Sequence, residues 1–124
     1  MVTSARTLAA AGLLLALATA CGAFGAHSLR TTLAPARLEL WETAVRYQFL
    51  QSLGLIGVAL VLRSCDSAPL RAAAALIIVG VVLFCGSLYA LSLGAPRAVG
   101  AFTPLGGLAW IAGWLAFAWG AWRS

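Results

Sequence analysis

Four apolar stretches, each about as long as a lipid bilayer is thick, occupy most of this chain. Apolar residues make up 63% of its 124 residues and charged residues only 9%, against roughly 45–50% and about 25% in an ordinary soluble domain. A chain with so few charges cannot cover a water-facing surface, so its solvent must be lipid. The sequence therefore predicts an all-α integral membrane protein with four transmembrane helices, arranged as two helical hairpins.

The helices are expected in a single membrane domain, 1–124, where they cover residues 5–28, 35–62, 70–93 and 104–122. The second helix is roughly 28 residues or about 42 Å long, which is too long for one upright crossing. Its first part, 35–46, is amphipathic. We expect this part to be an interfacial extension before the membrane crossing, with Trp41 and Tyr47 as anchors at the lipid–water boundary.

The net charge of +5 comes from eight arginines and no lysine, against three acidic residues. These arginines flank the apolar stretches, which is typical of membrane spans rather than of nucleic-acid binding. Four crossings place both termini on one side. Arg6, Arg63, Arg71 and Arg123 lie on that side, and Arg30, Arg37, Arg46 and Arg97 on the other. The counts are equal, but two effects favour cytoplasmic termini. Arg46 on the other side is expected to pair with Glu42, and the N-terminal amine adds a positive charge to the terminal side.

The start of the chain resembles a lipoprotein signal that ends at Cys21. In such a signal a large aliphatic residue usually stands three places before the cysteine, whereas Leu17 stands four places before it. The apolar run from Thr7 also continues to Ala26, about 20 residues, which is a full bilayer crossing. We therefore expect this segment to be retained as the first transmembrane helix.

Small residues recur at helical spacing, and in lipid they allow helix backbones to approach closely. The most regular series lies in the last apolar stretch, where small residues repeat every three and four positions like a coiled-coil seam. We assign helix packing to Gly22, Gly25, Ala26, Gly86, Ala90, Gly106, Ala109, Gly113, Ala116 and Gly120.

A partial repeat aligns Cys21 with Cys85. The same register matches Gly22 with Gly86 and Ala26 with Ala90. We take this as a hypothesis that the first and third helices are equivalent members of two parallel hairpins.

Polar residues gather around the first loop and the second apolar stretch. Ionisable groups at membrane depth are costly and are therefore candidates for function. The candidate cluster is His27, Glu39, Glu42, Arg46, Gln48 and Gln51. Glu42 precedes Arg46 by one helical turn, an order that allows an ion pair. The cluster is either a structural clasp between the first two helices, in which His27 contacts a glutamate, or a proton-handling or ligand site. We favour the clasp.

No residue pattern indicates catalysis, a metal or a cofactor. A single histidine cannot supply the usual two-histidine metal motifs. Cys21, Cys65 and Cys85 show neither metal spacing nor a disulfide framework. No serine or cysteine has an evident base beside it. We therefore expect no enzyme, no metal and no cofactor.

Five short motifs, taken in order, resemble the YgdD-like family of small membrane proteins. They are Gly22-Ala23-Phe24-Gly25-Ala26-His27, Thr43-Ala44-Val45-Arg46-Tyr47-Gln48, Phe84-Cys85-Gly86-Ser87-Leu88-Tyr89, Thr103-Pro104-x-Gly106-Gly107 and Gly113-Trp114. The resemblance covers nearly the whole chain and implies a four-helix protein of the bacterial inner membrane, without implying an activity.

Two positions depart from that family, which typically has histidine in place of Gln51 and serine in place of Cys85. Glutamine can hydrogen-bond but cannot carry a proton near neutral pH. The departure at Gln51 therefore favours a structural role for that position.

Two functions from different classes are compatible with the sequence. The first, which we expect, is a structural or accessory subunit that packs through small-residue helix faces against a second copy or a larger membrane complex. The second is a minor channel or transporter for a proton or small solute along His27, Glu42, Arg46 and Gln51. A water-filled cavity at these residues would favour transport. A lipid- or quinone-binding subunit is a third possibility, without a sequence feature of its own.

Overall fold

The computed structural model describes residues 1–124 and contains four helices that are long and apolar enough to cross a membrane. They are α1 (Ser4–Leu29), α2 (Pro35–Ser64), α3 (Ala68–Ser92) and α4 (Phe102–Arg123). A 3-10 turn, Arg97–Ala101, leads directly into α4, and the chain has no strand. The predicted all-α fold with four transmembrane helices is confirmed.

The helix ends differ from the predicted ones by a few residues. Pro69 occupies the first turn of α3, where its missing N–H leaves no hydrogen bond unmade, so α3 begins before it. Helical backbone also begins ahead of Pro104, in the 3-10 turn that precedes α4. The amphipathic segment 35–46 is not a separate element, because α2 is one uninterrupted helix of 30 residues.

The four helices form two hairpins, α1 with α2 and α3 with α4, that meet through α2 and α3. Leu55 and Val58 of α2 and Ile77 of α3 are fully buried in this central contact region. The outer helices instead carry large exposed aliphatic side chains, such as Leu13, which is 68% exposed, and Leu115, which is 66% exposed. Lipid is the natural cover for those side chains.

Glycines at heptad spacing bring α4 against α3. A Cβ atom placed on Gly106 would stand 2.5 Å from the backbone nitrogen of Phe84. The same atom on Gly113 or Gly120 would come within 3.1 Å or 2.9 Å of a leucine side chain of α3. Ala109 and Ala116, which alternate with these glycines, are partly buried. The two backbones therefore meet almost directly, as expected where lipid gives little hydrophobic drive for association.

The contact between α1 and α2 uses alanines and glycines of α1. Ala11 and Ala18 are fully buried, Gly25 is buried, and a Cβ atom on Gly22 would stand 3.4 Å from Val45 of α2. The small residues at these positions let α2 approach closely.

Two of the assigned packing residues lie outside these contacts. A Cβ atom on Gly86 would meet nothing within 4 Å, and Gly86 is exposed. Ala26 is also exposed, whereas Ala90 is partly buried. The prediction for Gly86 and Ala26 was wrong because each lies about 100° around its helix from a buried neighbour, Cys85 and Gly25 respectively.

One π-helical turn interrupts each of α1 and α3, at Gly25–Leu29 and Val81–Cys85. Such a turn inserts an extra residue and rotates the side chains that follow it, and the sequence pattern did not reveal it. The turn in α1 begins after Cys21, whereas the turn in α3 ends at Cys85. The two hairpins are present, but the register suggested by the Cys21/Cys85 repeat does not match their backbones.

We predict that Gly106→Ala destabilises the protein, because the added methyl group has no room against the backbone of α3. Overpacking of this kind typically costs about 1–3 kcal/mol. Thermal unfolding in a mild detergent would show it as a lower midpoint. Gly107→Ala is the matched control, since a Cβ atom there meets nothing within 4 Å. Equal midpoints for the two variants would contradict the close α3–α4 contact.

Candidate functional site

Gln48 of α2 is the polar centre of the bundle. Its side chain is buried, with 4% exposure. Its Nε2 donates to the backbone oxygen of Leu14 in α1 at 2.8 Å, and its Oε1 accepts from the hydroxyl of Tyr89 in α3 at 2.7 Å. One amide thus joins three helices. Bonds of this kind between membrane helices contribute about 0.6 kcal/mol on average and up to about 1.7 kcal/mol.

Trp41 makes the first of three similar contacts between a tryptophan and a glycine. Its ring covers Gly25 of α1 so closely that a Cβ atom on the glycine would stand 2.7 Å from it. Its indole N–H donates to the backbone oxygen of Cys21 at 2.8 Å. That oxygen also accepts the helical N–H of Gly25, which a carbonyl with two lone pairs can do.

Trp110 of α4 repeats this contact on α3. Its ring covers Gly80, where no Cβ atom would fit, and its indole N–H donates to the backbone oxygen of Ile77 at 3.1 Å. The N–H of Val81, the first residue of the π-helical turn, bonds to the same oxygen. In both hairpins the tryptophan therefore sits at a glycine that begins or directly precedes a π-helical turn.

Trp114, one turn further along α4, makes the third contact. Its ring covers Gly54 of α2, where a Cβ atom would stand 2.6 Å from it. Its indole N–H donates to the side-chain oxygen of Gln51 at 2.9 Å. We call these three contacts, Trp41–Gly25, Trp110–Gly80 and Trp114–Gly54, the Trp–Gly contacts. They join α2 to α1, α4 to α3, and α4 to α2.

The common geometry of the Trp–Gly contacts has a simple cause. A buried indole needs an acceptor for its N–H, and a glycine leaves a flat strip of helix surface for the ring. Residues three and four positions apart lie on the same helix face. An acceptor one turn before the glycine therefore lies within reach of a ring seated on it.

Trp41 and Tyr47, which were predicted to be interfacial anchors, pack against other aromatic rings of the bundle. Trp41 is only 6% exposed and meets Tyr89 edge to face, with ring centroids 4.6 Å apart. Tyr47 is half-exposed and stacks on Trp110. Trp41 therefore does not turn its N–H toward interfacial water as predicted, because that group donates to a carbonyl of α1.

The six polar residues proposed as one cluster lie in two groups. Gln48 is buried and Gln51 is partly buried, and both bond to other helices. The charged members of the cluster are exposed and make no side-chain hydrogen bond; these are His27, Glu39, Glu42 and Arg46. The separation follows from helix geometry, since Gln51 lies about 180° around α2 from Glu42.

Two predicted contacts of this cluster are therefore wrong. Glu42 and Arg46 form no ion pair; the ion pair that the protein does contain joins Arg71 and Asp66. His27 contacts neither glutamate, because Trp41 occupies the place where α2 meets this part of α1. The clasp between these helices is real, but it is made by an indole, an amide and backbone carbonyls rather than by charges.

The interior offers no obvious room for a ligand. Four cavities of about 220–330 Å³ are present, at the helix ends or in shallow surface grooves. None of them is lined by Gln48, Gln51 or Tyr89. No three His, Cys, Asp or Glu side chains lie close enough together to hold a metal ion, and all three cysteines are free. Two buried hydroxyls, those of Ser52 and Ser67, lack a partner.

A family model described as "Protein of unknown function (DUF423)" matches residues 21–107. The chain belongs to this family. The matched segment includes Trp41, Gln48 and Tyr89 but ends before Trp110. No solved structure matches the chain.

Curated relatives of this DUF423 protein carry membrane-protein names. A UPF0382 membrane protein from Staphylococcus haemolyticus is 48% identical over 94 residues, 76% of each chain. The UPF0382 membrane protein YwdK from Bacillus subtilis is 41% identical over 80% of this chain and 81% of YwdK. The UPF0382 inner membrane protein YgdD from Escherichia coli is 36% identical over 77% of this chain and 72% of YgdD. The resemblance found from the motifs is confirmed, and the chain is a small multi-pass membrane protein.

We predict that Gln48 and Tyr89 are energetically coupled. Tyr89→Phe removes one hydrogen bond, and Gln48→Leu removes that bond together with the bond to Leu14. In a double-mutant cycle the second substitution should cost less once the first is made, with a coupling energy of about 0.5–1.5 kcal/mol. Reversible unfolding in mixed micelles would measure it.

Tyr47→Phe is the matched control for this cycle, because the hydroxyl of Tyr47 makes no hydrogen bond to the protein. The unfolding free energies of Gln48→Leu and Tyr47→Phe should add strictly. Strict additivity of Gln48→Leu and Tyr89→Phe as well would contradict the bond between Gln48 and Tyr89.

Proposed function

We propose that this protein is a structural or accessory protein of the bacterial inner membrane that works by packing against another membrane helix, and that it is not an enzyme. The observation that carries the proposal is the outer face of α1.

The outer face of α1 is built from small side chains that are exposed. They recur every three or four residues over roughly 27 Å of helix, close to the thickness of a bilayer core. They are Ala5, Ala9, Gly12, Ala16, Thr19, Ala20 and Ala23. A Cβ atom on Gly12 would meet nothing within 4 Å.

The opposite face of α1, with Ala11 and Ala18, is already covered by α2. Hence α1 has two small-residue faces, and the protein itself occupies only one of them. In lipid such faces favour association through close backbone approach and van der Waals packing. A second copy of the chain is the simplest partner, since two outer faces of α1 can meet about a twofold axis; a larger membrane complex is the alternative.

The interior supports a packing role better than a transport role. Three polar side chains lie at mid-bundle, and each is bonded within the protein. Gln48 bonds to α1 and to Tyr89, and Gln51 bonds to Trp114. No cavity leads to these groups. The charged residues of the suggested solute path, such as Glu42, lie on the other side of α2 from Gln51. A path for a proton or solute has no observation in its favour.

We predict that Ala16→Leu weakens association, because a bulky side chain at the middle of the outer face of α1 keeps a second helix away. An overpacked contact of this kind costs about 1–3 kcal/mol, which raises the dissociation constant by about fivefold to about 150-fold. Native pull-down of a tagged chain with an untagged chain in mild detergent would measure it.

The matched control is Ala118→Leu, the same change at an exposed position of α4, which should leave recovery unchanged. Recovery of the unaltered protein alone and as a monomer would refute the packing function. Equal loss of partner with both variants would place the contact elsewhere than on α1.

We further propose that both termini are cytoplasmic. Arg6, Arg63, Arg71 and Arg123 lie on the terminal side together with the N-terminal amine, whereas Arg46 on the other side lies well inside α2 rather than in a loop. Positive charge in short flanking segments favours the cytoplasm. The predicted pairing of Glu42 with Arg46 does not contribute to this orientation, since that pair does not form.

A reporter fused to Ser124 tests this orientation. We expect a fluorescent fusion that requires the cytoplasm to be active and an alkaline phosphatase fusion, which requires the periplasm, to be inactive. The reverse pair of signals would overturn the orientation.

A further inference from the structure

A groove of about 220 Å³ lies between the end of α1 and the beginning of α2. Gly22, Gly25 and Ala26 leave its α1 side without bulk, while Glu42 and Arg46 of α2 line it from the other side. The groove exists because glycine and alanine provide no side chains to fill the angle between the helices. It opens away from the bundle, where a lipid molecule would lie.

The groove extends from the outer part of the hydrocarbon toward the lipid headgroups. α1 has 26 residues, or about 39 Å of helix, whereas the hydrocarbon core is about 30 Å thick. With α1 centred in the hydrocarbon core, Ala26 lies near its edge and Gly22 about 7 Å inside it. Arg46 lies deeper than the edge as well, and its long side chain can extend outward along the groove toward the phosphate region of the bilayer.

Glu42 and Arg46 enter this groove as unpaired charges. Neither makes a side-chain hydrogen bond or an ion pair within the protein. Charged side chains at membrane depth are normally paired or contact water or headgroups. Two opposite charges that are not paired with each other are best satisfied by an occupant that carries both a negative and a positive group.

The order of the two charges selects the occupant. α2 runs inward from this side of the membrane, so Glu42 is one turn nearer to water than Arg46. In a phospholipid such as phosphatidylethanolamine the phosphate is joined to the glycerol, and the ammonium group lies beyond it. The deeper Arg46 thus matches the phosphate, and the outer Glu42 matches the ammonium.

We propose that this groove binds phosphatidylethanolamine, with Arg46 donating to the phosphate and Glu42 accepting from the primary ammonium. Both are charge-assisted hydrogen bonds, which are stronger than neutral ones. Phosphatidylcholine has no N–H to donate to Glu42, and phosphatidylglycerol brings no positive charge to it. The site is independent of the outer face of α1.

The test is lipid retention by native mass spectrometry from nanodiscs with equal amounts of phosphatidylethanolamine, phosphatidylcholine and phosphatidylglycerol that have the same acyl chains. We expect the unaltered protein to retain phosphatidylethanolamine preferentially. Glu42→Gln should lower its ratio to phosphatidylcholine by about tenfold, the scale of one lost charge-assisted hydrogen bond. Arg46→Gln should reduce retention of all three lipids.

Two controls make the result specific. Glu39→Gln and Arg37→Gln change charges in the same part of α2 but do not line the groove, and they should leave the ratios unchanged. The double variant Glu42→Arg with Arg46→Glu keeps opposite charges one turn apart but reverses their order, so it should lose the preference. All these side chains are exposed, and unfolding midpoints would verify that the fold is intact.

Equal retention of the three lipids by the unaltered protein would overturn the proposal. So would a preference that survives the reversed pair, since the order of the two charges would then not select the lipid. These results are separate from the association assay, because neither residue belongs to the outer face of α1.

Discussion

The architecture depends on the need of every buried indole N–H and amide to find an acceptor where water is absent. In hydrocarbon an unsatisfied polar group costs several kcal/mol, so each such group fixes the helix that satisfies it. Trp41 fixes α2 on α1, Trp110 fixes α4 on α3, and Trp114 connects α4 with α2. Gln48 adds a second bond between the hairpins, through Tyr89. Glycines make these bonds possible by admitting the rings.

This arrangement also explains where charge lies. Because indoles, amides and backbone carbonyls join the helices, Glu42 and Arg46 are not needed inside the bundle and remain on its outer surface. There they meet headgroups instead of protein. Likewise α1, which is joined to the bundle through α2, leaves its second small-residue face uncovered. The two proposed contacts with the surroundings, one with lipid and one with a helix, are thus consequences of how the bundle is closed.

Sequence reasoning predicted the four helices and the glycine seam of α4, because both depend on composition and local spacing. It turned Trp41 toward interfacial water and joined His27 to a glutamate, because spacing along one helix does not show which side chain of a neighbouring helix lies opposite. The bond from Gln48 to Tyr89 depends on the relative register of α2 and α3, which no local pattern encodes. The sequence did contain one signal for the Trp–Gly contacts. Gly25, Gly54 and Gly80 lie within apolar helices of a chain rich in tryptophan, and a glycine there leaves room for an aromatic ring.

The most direct test of this account is hydrogen–deuterium exchange at the five tryptophan indoles, monitored by nitrogen-15 NMR of the protein in lipid nanodiscs. Three indole N–H groups, those of Trp41, Trp110 and Trp114, should exchange slowly because each is bonded within the protein. Those of Trp119 and Trp122, which are 55% and 85% exposed near the end of α4, should exchange rapidly. Rapid exchange at Trp41, alongside Trp119 and Trp122, would contradict the claim that the Trp–Gly contacts hold the helices together.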